Sequence, residues 1–486
     1  MNKEILKLEP TVVWNYFSEI LEIPRPSKKE EKIVKYLLDF GKDQKLETLQ
    51  DEVGNVLIRK AATAGMENRK SVVLQSHIDM VCEKNSDKVH DFDNDPIEAL
   101  IEDGWVTANG TTLGADDGIG VAAQLAILAS TEIVHGPIEC IFTVDEETGL
   151  TGAFGLQPGF LQSNILLNLD SEDDGQIFIG CAGGEDTLAW LPYDKVEIPE
   201  GNKAFKIMVS GLKGGHSGDE IDKNRGNANK ILNRYLWTNL KELGLKLNNF
   251  DGGNLRNAIA REAFAIVLVP NENAEELKSR LSKFETDIKG EYHKTEPDFK
   301  IRIEEVDFPE FVVDDESTEE LLNAIYACPH GVIAMSQDID DFVETSTNLA
   351  SVKFQEDEIQ ITTSQRSSIE SAKNDICNMV ASVFKLAGGR IEHSDGYPGW
   401  KPNADSQIVA QTAEAYERLF NQKPEVLAIH AGLECGLIGA KYPNMDMTSY
   451  GPTVKGAHSP DERIEISTVD KFWKLTLDIL KNIPAE

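Results

Sequence analysis

The run Leu74-Gln75-Ser76-His77-Ile78-Asp79-Met80 ends a short apolar stretch in a histidine and a carboxylate two residues apart. On a strand or extended exit, alternate side chains share a face, so His77 and Asp79 can lie on one side of the chain. Such a pair suits a metal ligand and its orienter. Imidazole binds zinc through one nitrogen, while the other donates to a carboxylate that fixes tautomer and ring orientation. His-X-Asp triplets also occur by chance as capped strand ends, so the motif gains meaning only from its company. Acids follow in series: Asp116 and Asp117 within Gly114-Ala115-Asp116-Asp117-Gly118, Glu146 and Glu147 after Ile138–Val144, and Asp170 after Ile165–Leu169. Two further histidines stand in glycine-bearing turns, His216 in Gly214-Gly215-His216-Ser217-Gly218 and His458 in Gly456-Ala457-His458-Ser459.

Each has an ordinary alternative. Asp116 or Asp117 could cap a helix, Glu146 and Glu147 could be a solvated turn, Asp170 a turn former and His216 a hairpin residue. Taken together, histidines and carboxylates without a thiolate suit borderline-hard divalent ions, zinc first and manganese or cobalt next. Several packed carboxylates repel unless cations neutralise them. Two metal ions about 3.5–4 Å apart do so and hold a water at lowered pKa. The adjacent Glu146 and Glu147 can divide the labour, one binding and the other acting as base.

These residues need a scaffold that gathers chain exits. From 71 to 180, strands alternate with the apolar helix Val121–Leu128, the rhythm of an α/β sheet with crossover connections. In such open sheets the ligand site lies outside the carboxyl ends of the strands, where these acids would converge. Upstream, Ser27 and Glu30 read as a capping box opening a helix through Leu38. Residues 185–385 read as an inserted α+β lid, apparently doubled: strand, glycine-rich turn, helix and strand, then a second set of similar size. The α/β rhythm resumes after 386. The expected organisation is therefore a catalytic domain in two segments, 1–184 and 386–486, built on a mixed sheet flanked by helices, with the lid between them.

A chain of 486 residues exceeds what one core can organise, in keeping with two domains. Its 48 basic and 83 acidic residues leave a net charge of −35, a field that repels nucleic acid and anionic membrane. Six cysteines without a CxxC pair indicate neither a zinc ribbon nor a disulfide framework, which fits a reducing compartment. No run approaches 18 apolar residues and the first ten lack a signal-peptide core, so a cytoplasmic, unanchored protein is expected.

The series His77-Ile78-Asp79, Gly114–Gly118, Glu146-Glu147, Asp170 and His458 resembles the ligand set of the di-zinc metallopeptidase clan that includes carnosinase, aminoacylase and succinyl-diaminopimelate desuccinylase. Within it, the chain is similar throughout to the bacterial aminoacyl-histidine (Xaa-His) dipeptidases. Gly214–Gly218, Leu255–Ile259, His430–Gly436 and His458–Glu462 carry that likeness. The resemblance implies two divalent ions, most simply Zn²⁺, with Asp116 bridging, His77 and Asp170 completing one site, and Glu147 and His458 the other. It implies that Asp79 orients His77 and that Glu146 is the general base. It also implies that His216 stabilises the oxyanion and that Asn257 and Arg366 hold substrate. Arg366 suits a dipeptide carboxylate, since its fork can bind both oxygens, although a surface salt bridge is its plain alternative. The implied activity is hydrolysis of unblocked dipeptides, including carnosine, with an aminoacylase of the same clan as runner-up. Dipeptides are the expected partners, together with a second copy of the chain bound through the lid. A silent scaffold keeping the fold would need a lost ligand or base, and every expected position is filled.

Overall fold

The computed structural model describes residues 3–403 and 405–486. The chain divides into two compact units. The first comprises Met1–Gly180, Pro402–Ala428 and Leu433–Glu486; the second comprises Cys181–Lys401 and Ile429–Gly432.

The first unit holds an eight-stranded mixed sheet in the order Glu47–Gln50, Val56–Lys60, Ile138–Thr143, Val72–His77, Ile165–Asn168, Asp446–Ser449, Gln176–Cys181, Glu425–Ile429. Val72–His77 lies at its centre, parallel to both neighbours, pairing His77 with Thr143 and Gln75 with Asn168. Three parallel strands therefore end at one edge, and the residues just beyond them share that edge. All six residues of Val72–His77 and of Ile138–Thr143 are buried, as expected of strands covered on both faces. The helix Ala115–Ala129 is apolar almost all round and packs against Thr11–Leu21 and the central strand. A four-stranded sheet, ordered Val454–Lys455, Arg463–Glu465, Trp105–Ala108, Ala99–Glu102, carries the loop that bears His458.

The second unit is built on a nine-stranded antiparallel sheet. Asn202–Ser210, Lys246–Gly252, Ala263–Pro270 and Lys300–Glu305 form one half with the helices Ala228–Leu243 and Ala274–Glu291. Val343–Phe354, Glu358–Ser367, Gly183–Pro192 and Arg390–His393 form the other, with Gly331–Met335 paired at its side. The halves join where Gly252 meets Val352, so the two α+β sets share one continuous sheet, and one large apolar cluster draws residues from both.

Two expectations need correction. Residues 386–401 and 429–432 belong with the inserted unit, because Arg390–His393 pairs along Gly183–Pro192 and the Ala182 N–H donates to the carbonyls of Ile429 and Ala431. Ser27 and Glu30 do not form a capping box: the helix Glu31–Asp43 has no side-chain cap. The Ser27 hydroxyl donates instead to Asp79, at 2.8 Å, and Glu30 accepts the N–H groups of Lys28 and Asp145.

Candidate metal centre and active site

At the shared strand edge, His77 closes the central strand, Glu146 and Glu147 open the short helix Glu146–Gly149 beyond Ile138–Thr143, and Asp170 lies just past Ile165–Asn168. The fourth contributor arrives on a turn. Gly114 adopts φ +72°, and a Cβ there would lie 2.5 Å from a guanidinium nitrogen of Arg25, so this bend admits only glycine without rearrangement. It swings Asp116, whose backbone is not yet helical, across the strand ends.

Of the groups of candidate ligands that result, two share Asp116, and another joins His77 to Glu146 and Glu147. His77, Asp116 and Asp170 form one of the two that share Asp116, and Asp116, Glu147 and His458 the other. His77 Nε2 lies 3.0 Å from Asp116 Oδ1 and 3.4 Å from Asp170 Oδ1. His458 Nε2 lies 3.4 Å from Asp116 Oδ2 and 2.9 Å from Glu147 Oε2. Thus each oxygen of Asp116 faces a different histidine. Behind them, Asp79 Oδ1 is 3.2 Å from His77 Nδ1 and accepts the Glu146 N–H, while Oδ2 accepts from Ser27 and the Glu147 N–H. One buried carboxylate therefore orients the ring and fixes the backbone of both glutamates.

The packed acids and histidines shift one another's proton affinity. Burial, reinforced by the charges of Asp170, Glu434 and Glu147, pushes the Glu146 carboxyl well above its usual range against the pull of His77. Burial and Asp116 raise Asp170 likewise. Burial alone would lower His77, yet Asp170, Asp116 and Asp79 hold it well above the ordinary imidazole value. Hydrogen bonds to Asp116 and Glu147 carry His458 up to about 11. Clustered imidazole nitrogens and carboxylate oxygens fit zinc or a similar divalent ion, with the Nε2 atoms of His77 and His458, once deprotonated, and the carboxylate oxygens as ligand atoms.

Three supports have no obvious signal in their neighbourhood of the chain. Arg25, 2% exposed, donates to the carbonyls of Ile78 (3.0 Å), Asp79 (2.6 Å) and Gly114 (2.5 Å), tying the His77 exit to the Asp116 turn. Glu462 accepts the N–H groups of Leu113, Gly114 and Ala115 at 2.7–2.9 Å, and that of Asp116 at 3.3 Å. Glu434, wholly buried, accepts from Gln75 (2.6 Å) and Thr143 (2.7 Å). Burial lifts its carboxyl to about 7. An arginine or glutamate spaced to face nothing local gives no clue; only Glu434 and Glu462 lie within quoted motifs.

His216, Asn257 and Arg366 fall in the inserted unit. His216 bridges to Ala258, and the Ser217 N–H donates to the Asn257 carbonyl, so the two loops lie side by side. His216 Nδ1 lies 3.3 Å from Asp219 Oδ2. Arg366 is 7% exposed, which excludes the surface salt bridge. It donates to the Tyr397 hydroxyl at 2.9 Å, and its Nε meets no partner. His430, also buried, pairs with the Ser346 hydroxyl at 2.7 Å.

A family model described as peptidase family M20/M25/M40 matches residues 73–482, which span every candidate ligand and the inserted unit. The chain belongs to peptidase family M20/M25/M40. Among M20 relatives, it is 46% identical to the cytosol non-specific dipeptidase of Escherichia coli over 483 residues, covering 99% of this chain and 100% of that protein. It superposes on the aminoacylhistidine dipeptidase of Vibrio alginolyticus with a TM-score of 0.93 at 47% identity, over 99% and 98% of the two chains. The aminopeptidase PepT of Bacillus cereus, at 18% identity and TM-score 0.58 over 98% and 99%, shares the fold. The likeness read from the motifs is thus an M20 likeness over the full chain.

Proposed function

We propose that this chain is a metal-dependent dipeptidase acting on unblocked dipeptides, Xaa-His dipeptides such as carnosine among them, through two divalent ions, with zinc the first choice. One observation carries the reading: Asp116 belongs to two three-residue ligand groups at once, each oxygen turned to its own histidine. The E. coli and Vibrio relatives, named as dipeptidases and similar end to end, supply the substrate class.

When bound, the two ions supply Lewis acidity to the scissile carbonyl and lower the pKa of the attacking water. His77 and Asp170 would hold one ion, Glu147 and His458 the other, and Asp116 both. Glu146, the acid left over, takes the proton from that water and later gives it to the leaving amine. Its neighbour Glu147 is committed to His458, so the pair divides its roles. Asp79 keeps the His77 proton on Nδ1 and leaves Nε2 free to ligate. In the inserted unit, Arg366 offers a buried guanidinium with an unpaired Nε, suited to the substrate's terminal carboxylate, beside Asn257 and His216 in the roles of substrate holder and oxyanion donor.

A cytoplasmic location is part of the proposal, supported by the relative named a cytosol dipeptidase; among the described residues no helix is long and apolar enough to cross a membrane. So is a homodimer through the inserted unit, which light scattering tests. The chemistry is tested by Glu146→Gln. Turnover of carnosine should fall about 10²- to 10⁴-fold while metal content stays near two per chain. Retained activity removes Glu146 as base. Comparing a dipeptide with its N-acetyl form separates a dipeptidase from an aminoacylase, which would prefer the blocked substrate.

A further inference from the structure

We propose that Glu462 is a positioning residue that latches the His458 loop onto the Asp116 turn, so that the second ligand group is assembled only while this latch is closed. The inference rests on the two-metal reading above. The two groups are built differently. His77 and Asp170 leave adjacent parallel strands, and their side chains are 1% and 9% exposed, so the sheet itself fixes them. His458 stands on the loop between Val454–Lys455 and Arg463–Glu465, its side chain 56% exposed and its backbone at φ +63°. Within the loop the bonds are local: the Ser459 N–H donates to Gly456 and the Glu462 N–H to Ser459. Such turns shape the loop without placing it.

Glu462 places it. Its side chain is 2% exposed and turns inward. Oε2 accepts from Leu113 and Gly114 at 2.7 and 2.9 Å, and Oε1 from Ala115 at 2.7 Å and Asp116 at 3.3 Å. These N–H groups lie in the non-helical turn ahead of the regular helix, so one carboxylate four residues from His458 satisfies the turn that carries the shared Asp116. The Glu462 carbonyl also accepts from Thr107 at 3.0 Å, holding the loop to the four-stranded sheet. Arg25 grips the same turn from its other side through the Gly114 carbonyl and continues to Ile78 and Asp79, so it serves the first group. Loss of the Glu462 carboxylate should therefore free His458 and leave His77 and Asp170 in place.

The test is a zinc titration of the metal-depleted full chain by competition with a chromophoric chelator, with circular dichroism as a check on folding. The native protein should take two zinc ions. Glu462→Gln should weaken the second about 10- to 100-fold and the first, which shares Asp116, distinctly less, and excess zinc should restore its dipeptide hydrolysis. Asp461→Asn, an exposed neighbour, should match the native protein. Native affinity for both ions in Glu462→Gln, or equal loss of both, overturns the latch. Should Glu462→Gln fail to fold, Glu462→Asp decides by the same titration: it draws the charge back by one methylene, and an unweakened second ion overturns the inference. A native chain that binds fewer than two ions refutes instead the two-metal reading on which the latch rests.

Discussion

Asp79→Asn probes the centre without touching either of the ligand groups that share Asp116. The carboxylate makes four contacts: His77 Nδ1 at 3.2 Å and the Glu146 N–H at 3.0 Å on Oδ1, Ser27 at 2.8 Å and the Glu147 N–H at 3.2 Å on Oδ2. An amide keeps one oxygen, so one of the two glutamate N–H groups loses its acceptor whichever way it turns, while the Ser27 hydroxyl or the His77 ring can reverse its role and accept. Facing His77, the new NH₂ would force the ring proton onto Nε2 and spoil the ligand atom, so the amide should turn toward Ser27 and Glu147. A hydrogen bond to a charged group is worth about 1.5–3 kcal/mol, so the lost N–H contact removes about that much support. Most of that falls on the loop and the glutamate backbone. The share reaching metal binding or rate should be about 10- to 100-fold, the usual cost of removing a carboxylate behind a ligating histidine. Zinc competition and steady-state carnosine hydrolysis read both quantities. Unchanged affinity and rate would refute the orienting role, and outright loss of both metals would show that Asp79 is itself a ligand.

Metal uptake should release protons at pH 7 and weaken as pH falls, because His77 and His458 are held protonated by the carboxylates around them and must be neutral to ligate; calorimetry in buffers of different ionisation enthalpy measures it. In chelator-treated protein, Glu434→Gln should gain stability relative to the native chain as pH rises. With a folded value of about 7 against 4.5 unfolded, both states are protonated below 4.5, and native stability is lost between 4.5 and 7, on the order of 3 kcal/mol at 1.36 kcal/mol per pH unit. Denaturant unfolding at pH 4 and pH 8 checks the sign. Gly114→Ala should cost at least about 1–2 kcal/mol, since alanine resists the φ of +72° and its Cβ meets Arg25; thermal unfolding reads it.

The residues that could hold metal were legible because the chemistry is written at strand exits. A histidine two residues from an acid, a glycine-flanked Asp pair and an acidic doublet each follow an apolar run, and the parallel sheet turns those local signals into one edge. What escaped depends on partners far along the chain. Arg25 acts on Gly114, 89 residues away, and Glu462 on Leu113, 349 residues away, so neither spacing carries a pattern. Ser27 and Glu30 have the spacing of a capping box, yet Asp79 and the Asp145 N–H, reached only in the folded chain, outcompete the local bonds. The unit boundary moved for a similar reason. Arg390–His393 resembles any short exposed strand until it pairs with Thr187–Trp190.

The central claim is that the Asp116-centred cluster holds two ions that together drive dipeptide hydrolysis. Titrating zinc into the metal-free protein while following carnosine cleavage tests it most directly. Hydrolysis should be negligible without metal, rise with the second equivalent and saturate at two per chain. Carnosine hydrolysis that survives exhaustive metal removal would contradict the claim.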